Sequence, residues 1–459
     1  MFIGYGADAN KVQAGNLQFD GQTGSTLNAK SVNGQLEEMT GTFDVTNNTG
    51  HTFSSTYYIN VEYTETSYYG SGTTTVYATT EVPFEVEAGT SSVPFNLGTV
   101  TGLISGKKYT VRLYSKSGDA EVNIASKEME LASYFRYWKA DGTVVESPEG
   151  YYDSNSWSYV YMPDATGRSE AVAMDLRGVK TDYLKKATNP NCVYYMTASQ
   201  KPSSSYSEFY STNNIIDGVA ESMTINANYP FFAPEEFTAE EISFTKTFAN
   251  GKMKDGNPYW YTIVLPFEVN SVKQGTKNLK WFKKASDKRC HFWLMELTDV
   301  AADALTFNYA QKFEANTPYI IQVPSTGWGD SWNLAGKELT FRGLNVTVPA
   351  TAFAADAIFV GTYAPLTTSG LFLDATVNKF LFSENGTVAP YNAYINAANN
   401  ANSLRIVIAG DEIATGIENE ELRMKNEESH GCIYDLQGRR VQHAQKGLYI
   451  QNGKVVVIK

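Results

Sequence analysis

A multi-domain, mostly β fold is predicted by three observations. Apolar and polar residues alternate in short runs, and clusters of Asn, Gly, Asp and Pro punctuate those runs. The composition is also rich in rings, with 30 Tyr, 24 Phe and 7 Trp. Aromatic and β-branched side chains suit a pleated, half-buried surface better than a helix. The 459 residues are 42% hydrophobic and 19% charged, enough apolar surface for packed cores and too long for one ordinary domain. The predicted order is an N-terminal β-sandwich over 1–132 and a large central β region over 133–410. The central region is sandwich or barrel-like, one domain or two, with a sub-boundary near 225–240. A charged linker over 411–430 and a short C-terminal β-hairpin tail over 431–459 complete the chain.

The N-terminal strands are read in order. Thr42-Phe43-Asp44-Val45-Thr46 alternates and Asn47-Asn48-Thr49-Gly50 supplies a turn. Tyr57 to Tyr63 alternates again, Val82 to Val86 and Val93 to Leu97 flank Gly89, and Lys108 to Tyr114 ends the series. Turns at Trp138–Thr143 and Ser147–Gly150 mark the next unit, which places a boundary near 133. Beyond it, Tyr261–Phe267, Pro318–Val323 and Ala357–Tyr363 are short apolar strands between polar loops. Helical stretches are few; Thr238 to Ile242 reads as one turn. Residues 411–430 are polar and heavily charged, as in a linker. In the tail, Leu448-Tyr449-Ile450 pairs with Val455–Ile458 across Asn452-Gly453, a strong hairpin signal.

Charge and cysteine usage exclude several classes. The formal net charge is -12. Such a chain repels nucleic acid and anionic membranes through its bulk field, no basic stripe stands out, and no nucleic-acid partner is expected. No run approaches 18 apolar residues, so no transmembrane helix is expected. Cys192, Cys290 and Cys432 are widely spaced, which supports neither a disulfide framework nor a zinc site. A single Cys192–Cys290 bridge and unpaired buried thiols are both open readings. The segment Met1–Gly6 lacks the basic and long apolar regions of a signal peptide. A removed leader, or a longer precursor of which this is the C-terminal part, would each reconcile that with secretion.

Two stretches carry a resemblance. Tyr434, Asp435, Leu436, Gly438 and Arg439, followed by Lys446, Gly447, Leu448 and Tyr449, resemble the C-terminal sorting-type tail of Bacteroidetes secreted proteins. That resemblance implies export through an outer-membrane secretion machinery, and an extracellular or outer-membrane-surface address. The run Gly41–Val61 is similar to bacterial Ig-like modules, which implies an Ig-like sandwich. Ala173–Gly178, Asn189–Tyr195, Phe232–Ala239, Trp260–Phe267 and Ala315–Tyr319 resemble, in order, uncharacterised extracellular proteins of the same bacteria. They imply kinship and no known activity.

Catalytic machinery is not legible. There is no Gly-x-Ser-x-Gly elbow, HExxH, EF-hand or phosphate loop, so no catalytic residue, metal ligand or cofactor is assigned. Among four histidines only His291 lies in a structured stretch, and in a strand Arg289–Trp293 it would point away from Cys290. Glu235-Glu236 and Glu240-Glu241 read as a solvated acidic edge. The ligand-binding candidates are turn-borne rings: Tyr151, Tyr152 and Trp157 (with Tyr159 and Tyr161 beside them), and above all Trp328 and Trp332. Flat exposed rings serve as platforms for a surface glycan or as protein hot spots, and the bland reading of the same rings is packing in thin β cores. The function expected is that of a non-enzymatic, adhesin-like secreted or surface-displayed binding protein. Two alternatives are the accessory C-terminal portion of a larger secreted enzyme, such as a protease, and a glycan-active enzyme with an unrecognised carboxylate pair. The last would need a cleft with two carboxylates about 5–10 Å apart.

Overall fold

The computed structural model describes residues 11–66, 72–103, 107–153, 155–205, 207–353, 357–396 and 402–409, together with the strand backbone of 433–434, 440–441, 447–451 and 454–458. The fold is mostly β, in several units, as the alternation predicts. At the N-terminus, Val12–Phe19, Thr40–Asn47 and Gly89–Asn96 form one antiparallel sheet with Thr40–Asn47 in the middle. It faces a second sheet ordered Gly72–Val86, Phe53–Thr66, Tyr109–Ser117, Ala120–Trp138, with Thr26–Val32 parallel beside the last. Alternation in Thr40–Asn47 turns Phe43 and Val45 inward, where they are fully buried. Phe43 packs between Tyr57 and Phe84 at 5.7 and 5.8 Å, a burial contributing about 1.5–3 kcal/mol. Asn47 closes the expected turn, its side chain donating to His51 O and Val86 O while accepting from Thr49 N.

The strand Ala120–Trp138 then leaves the sandwich without a linker. Met129 belongs to the N-terminal core, whereas Phe135 and Tyr137 belong to the next one. Residues 132/133 therefore lie inside a strand, at the point where one core gives way to another. Asn33 clasps this junction: its side chain donates to Asp175 O (2.6 Å) and Arg177 O (3.0 Å) and accepts from Arg136 N. Gly178, at φ 75°, lies directly against the Asn33 carbonyl and the Gly34 Cα, leaving no room for a Cβ.

Three short strands run parallel here: Ala173–Asp175, Val193–Met196 and Asn213–Ile216, with Ala173 beside Val193 and Val193 beside Asn213. The chain advances 20 residues at each step, one coil per strand. Strands of three or four residues, flanked by polar loops, fall below what alternation detects. The segment expected to make a helical turn at 238–242 is instead part of the strand Phe237–Thr247. Its inward residues are Phe237, Ala239, Ile242 and Phe244. The three-residue step between Ala239 and Ile242 imitates a helix, but ten paired positions with Glu338–Val348 decide the strand. The α-helix Ala165–Glu170 was not foreseen; Asp164 caps it by accepting from Gly167 N.

A separate sheet forms a nearly closed barrel. Its order is Tyr261–Ile263, Tyr319–Gln322, Phe292–Val300, Ala304–Tyr309, Ser403–Ile408, Lys379–Val388, Leu366–Asp374, Asn392–Ile395, Phe359–Thr362. The first strand returns to the eighth through Ala393 N to Thr262 Oγ1 and Val264 N to Tyr391 O. Met295, Leu305, Phe307, Ile320, Phe380 and Ile395 fill the interior. Phe292, Leu294, Tyr319 and Ile321 point the other way, into a larger core shared with Phe244, Phe341 and Val272. A strand serving two cores is buried on both faces, which is why Tyr319–Gln322 reads as a continuous apolar run. Cys192 is buried and Cys290 half-buried, both as free thiols, so the bridge between them is not formed; Cys432 lies outside the described residues.

The tail forms a four-stranded sheet ordered Arg440–Val441, Ile433–Tyr434, Gly447–Gln451, Lys454–Ile458. Tyr449 pairs with Val456 and Gln451 with Lys454, the register an Asn-Gly hairpin imposes. Tyr434, Gly447, Leu448 and Tyr449 are strand residues; Asp435, Leu436, Gly438, Arg439 and Lys446 lie outside the described residues.

Candidate functional site

The hairpin Tyr151–Asp153 and Ser158–Val160 stands apart from the large sheets and is built from rings. Its tip is held by Asp153, whose carboxylate accepts from Ser156 Oγ (2.7 Å) and Asn155 N (2.9 Å). Those bonds, the one from Ser156 foremost, keep the carboxyl below its ordinary range. Its base is pinned to the body by Met162 N to Tyr183 O and Lys185 N to Met162 O. Gly150 is pressed against the Tyr183 carbonyl, a contact that excludes any side chain.

On this frame Tyr152 and Tyr159 are cross-strand partners, 5.2 Å between centroids. Tyr159 stacks on Tyr183 at 5.6 Å and 23°, and meets Tyr161 at 6.1 Å. Lys185 stands 4.5 Å over the Tyr161 ring while pairing with Glu208. Trp157 projects from the tip at φ 54° and is 83% exposed; Tyr151 and Tyr159 are 53% and 56% exposed. The predicted residues thus share one hairpin, with Tyr152 in the ring strip, Tyr151 on the opposite strand face and Trp157 at the tip. Tyr183 and Lys185 complete the strip from a loop more than twenty residues away, with no local signal to announce them.

Trp328 and Trp332, the foremost candidates of the sequence, occupy a loop, as expected, but neither stands free of the body. Both are half-buried. Trp328 donates its indole N–H to Lys252 O (2.9 Å) and leans on Trp293 at 5.7 Å. Trp332 packs against His291 at 5.1 Å. Gly and Asp predict a loop; they do not reveal that the loop folds back onto a strand end. The strand there begins at Phe292, not Arg289. His291 accepts from Lys280 N at Nδ1 (3.0 Å), and the Cys290 thiol is directed at Lys288 O. Burial, followed by the charge of Lys277, holds the His291 imidazole below its ordinary pKa.

Two surface depressions bear on hydrolytic chemistry. One, lined by Tyr259, Phe372, Asp374, Thr376 and Phe382, contains a single carboxylate, and Thr376 N and Oγ1 already bond Asp374 Oδ1. The other, lined by Asn16, Gln18, Gln22 and Lys127, contains none. Glu296, raised above its usual pKa by burial and by the charge of Glu314, lies in neither. Among the described residues there is no cluster of three or more metal-ligating side chains. No helix there is long and apolar enough to cross a membrane.

No family model matches the chain, and no curated protein matches it. Solved structures match over limited stretches. The sporulation control protein Spo0M of Bacillus subtilis does so at 12% identity over 26% of this chain and 49% of that one, with a TM-score of 0.18. The alkylpurine DNA glycosylase AlkC of Pseudomonas fluorescens, bound to DNA containing an abasic site analog, matches at 15% identity, 27% and 30% coverage and a TM-score of 0.18. For the beta-D-glucoside glucohydrolase of Trichoderma reesei the values are 14%, 28%, 20% and 0.17. The chain spans half or less of the length of each, and overlaps this small carry no argument about function. What the fold defines is a multi-domain, mostly β protein.

Proposed function

We propose that this chain is a non-enzymatic secreted or surface-displayed binding protein that takes the flat faces of sugars on its Tyr151–Tyr161 hairpin. The observation carrying this reading is the exposure of five rings within eleven residues: Tyr151, Tyr152, Trp157, Tyr159 and Tyr161. Large exposed rings are normally scattered singly, whereas Tyr152, Tyr159 and Tyr161 form a strip in mutual contact, the kind of patch that marks an interaction site. A hairpin braced by cross-strand ring contacts presents that area already ordered, so little side-chain entropy is lost on binding. The sandwich would hold the hairpin clear of the cell. The tail, through Tyr434 and Gly447–Tyr449 and the motif residues between them, would serve export or anchoring by the secretion machinery.

The test is a glycan array with the full chain, Trp157→Ala and Tyr159→Ala. A glycan signal should fall about 10-fold or more in each variant, the loss typical of a buried aromatic anchor. An array on which the wild type binds no glycan, or binds with indifference to both changes, overturns the sugar-binding reading.

A further inference from the structure

A second, chemically different surface lies where the half-buried loop carrying Trp328 and Trp332 meets the segments around Lys252 and Lys277. Lys252 Nζ stands 5.5 Å over the Trp293 ring and Lys277 Nζ 5.2 Å over Trp332. Lys277 also donates to Ser331 O (2.9 Å). Lys254 is seated beside Gly327, and Lys280 is joined through its backbone to His291. The rings act as posts that hold ammonium groups in place, since a cation is attracted to the face of an indole. Trp293 is itself stacked on Phe282 at 5.0 Å and 8°.

Some lysines of the protein find carboxylates, Lys30, Lys139, Lys185 and Lys201 among them, and others, such as Lys107, Lys116 and Lys127, rest on a ring or a backbone carbonyl instead. Among the described residues, Lys252, Lys254, Lys277 and Lys280 form none within 4.0 Å. The acidic groups nearby are few. Asp287 already accepts from Lys283 N, while Asp255 and Asp330 flank the loop. Residues 273–289 carry Lys273, Lys277, Lys280, Lys283, Lys284, Lys288 and Arg289 against Asp287 alone, in a chain of net charge -12. This basic stretch is present in the sequence and corrects the reading that no basic stripe exists. One donor is left over beside it: His291 accepts at Nδ1, so its proton is assigned to Nε2.

We propose that this surface binds an acidic polysaccharide, one bearing sulfate or uronate groups on successive sugars. The unpaired lysines would meet the anionic groups, and the part-exposed edges of Trp293, Trp328 and Trp332 would meet the sugar rings. Local charge dominates over the distant negative surface because salt screens charges beyond about 8 Å.

The experiment measures binding of the full chain to heparin, polygalacturonate, a neutral dextran and single-stranded oligothymidine by tryptophan fluorescence. Titrations are run between about 50 and 200 mM salt. At least one acidic glycan should bind, with affinity falling as salt rises, and dextran and oligothymidine should not; heparin against polygalacturonate separates sulfate from uronate. Lys252→Gln with Lys277→Gln should weaken that binding about 10-fold, and Trp157→Ala should leave it unchanged. Near-ultraviolet dichroism of the double variant confirms its fold. Absence of acidic-glycan binding, equal binding of oligothymidine or dextran, or indifference to the lysine changes overturns the proposal. Because Trp157 lies on the other surface, its variant fails or succeeds separately from this one.

Discussion

Asn191 is fully buried and ties the parallel coils to the barrel, so its replacement tests the architecture where it is most demanding. Its amide nitrogen donates to Asn226 O (2.8 Å), Tyr229 O (2.7 Å) and Tyr391 Oη (2.9 Å), and its oxygen accepts from Asn226 N (2.7 Å). In Asn191→Ala two of the abandoned acceptors keep a partner, since Tyr229 O still receives the Tyr391 hydroxyl and Asn226 O still receives Tyr229 N. Asn226 N–H is left with none of these bonds. Each lost bond costs about 0.5–1.5 kcal/mol, so the loss of all four should cost about 3–5 kcal/mol. Tyr391→Phe removes one hydroxyl from the same network and should cost about 1–2 kcal/mol. Asn191→Asp turns an oxygen toward groups that need a donor. Its carboxyl should therefore be raised in the folded state, and stability should recover as pH falls through that raised value toward about 4. A multi-domain chain does not unfold in two states, so the readout is hydrogen exchange over 189–232 and 389–396. Exchange there should speed about 100-fold or more in Asn191→Ala, since 1.4 kcal/mol is a factor of ten. Equal effects of Asn191→Ala and Tyr391→Phe, or a change below about 1 kcal/mol in the former, would refute this reasoning.

Lys246 donates to Asn392 Oδ1 (3.0 Å), and burial brings its ammonium down to about 8. Because the folded pKa lies below the unfolded value of about 10.4, folding is penalised as pH falls from there toward 8 and uniformly below it. Lys246→Met should therefore stabilise at neutral pH, on the order of 1–3 kcal/mol, with the gain shrinking above pH 8; urea melts at pH 7 and pH 10 that show the same difference would contradict it. Gly178→Ala forces a side chain into a left-handed backbone against the Asn33 carbonyl and should loosen the junction by about 1–3 kcal/mol. Limited proteolysis near 133–140 reads this out, and a cleavage rate equal to wild type would count against the clasp.

How much was legible depends on how each element is stabilised. Phe43 and Val45 sit on a strand half-exposed to water, so alternation displayed them directly. Tyr319–Gln322 showed only its apolarity, because a strand between two cores has no polar face to give its period. The parallel strands at 173, 193 and 213 are held by neighbours 20 residues away and by asparagines bonding backbone carbonyls, which leave no periodic trace. The same division runs through the candidate sites. Tyr151, Tyr152 and Trp157 are close in sequence and supported by their own hairpin, so they were found. Trp293, Lys252 and Lys277 become neighbours of Trp328 and Trp332 only when three distant segments meet.

Side-chain alternation and turn chemistry, both properties of a few adjacent residues, were enough to establish a β protein with an Asn-Gly hairpin at its C-terminus. Which sheets close into a barrel, which rings stay in water and which lysines go unpaired were decided by tertiary packing. Those outcomes depend on pairings across tens to hundreds of residues, where burial and charge are set by whatever the fold brings alongside.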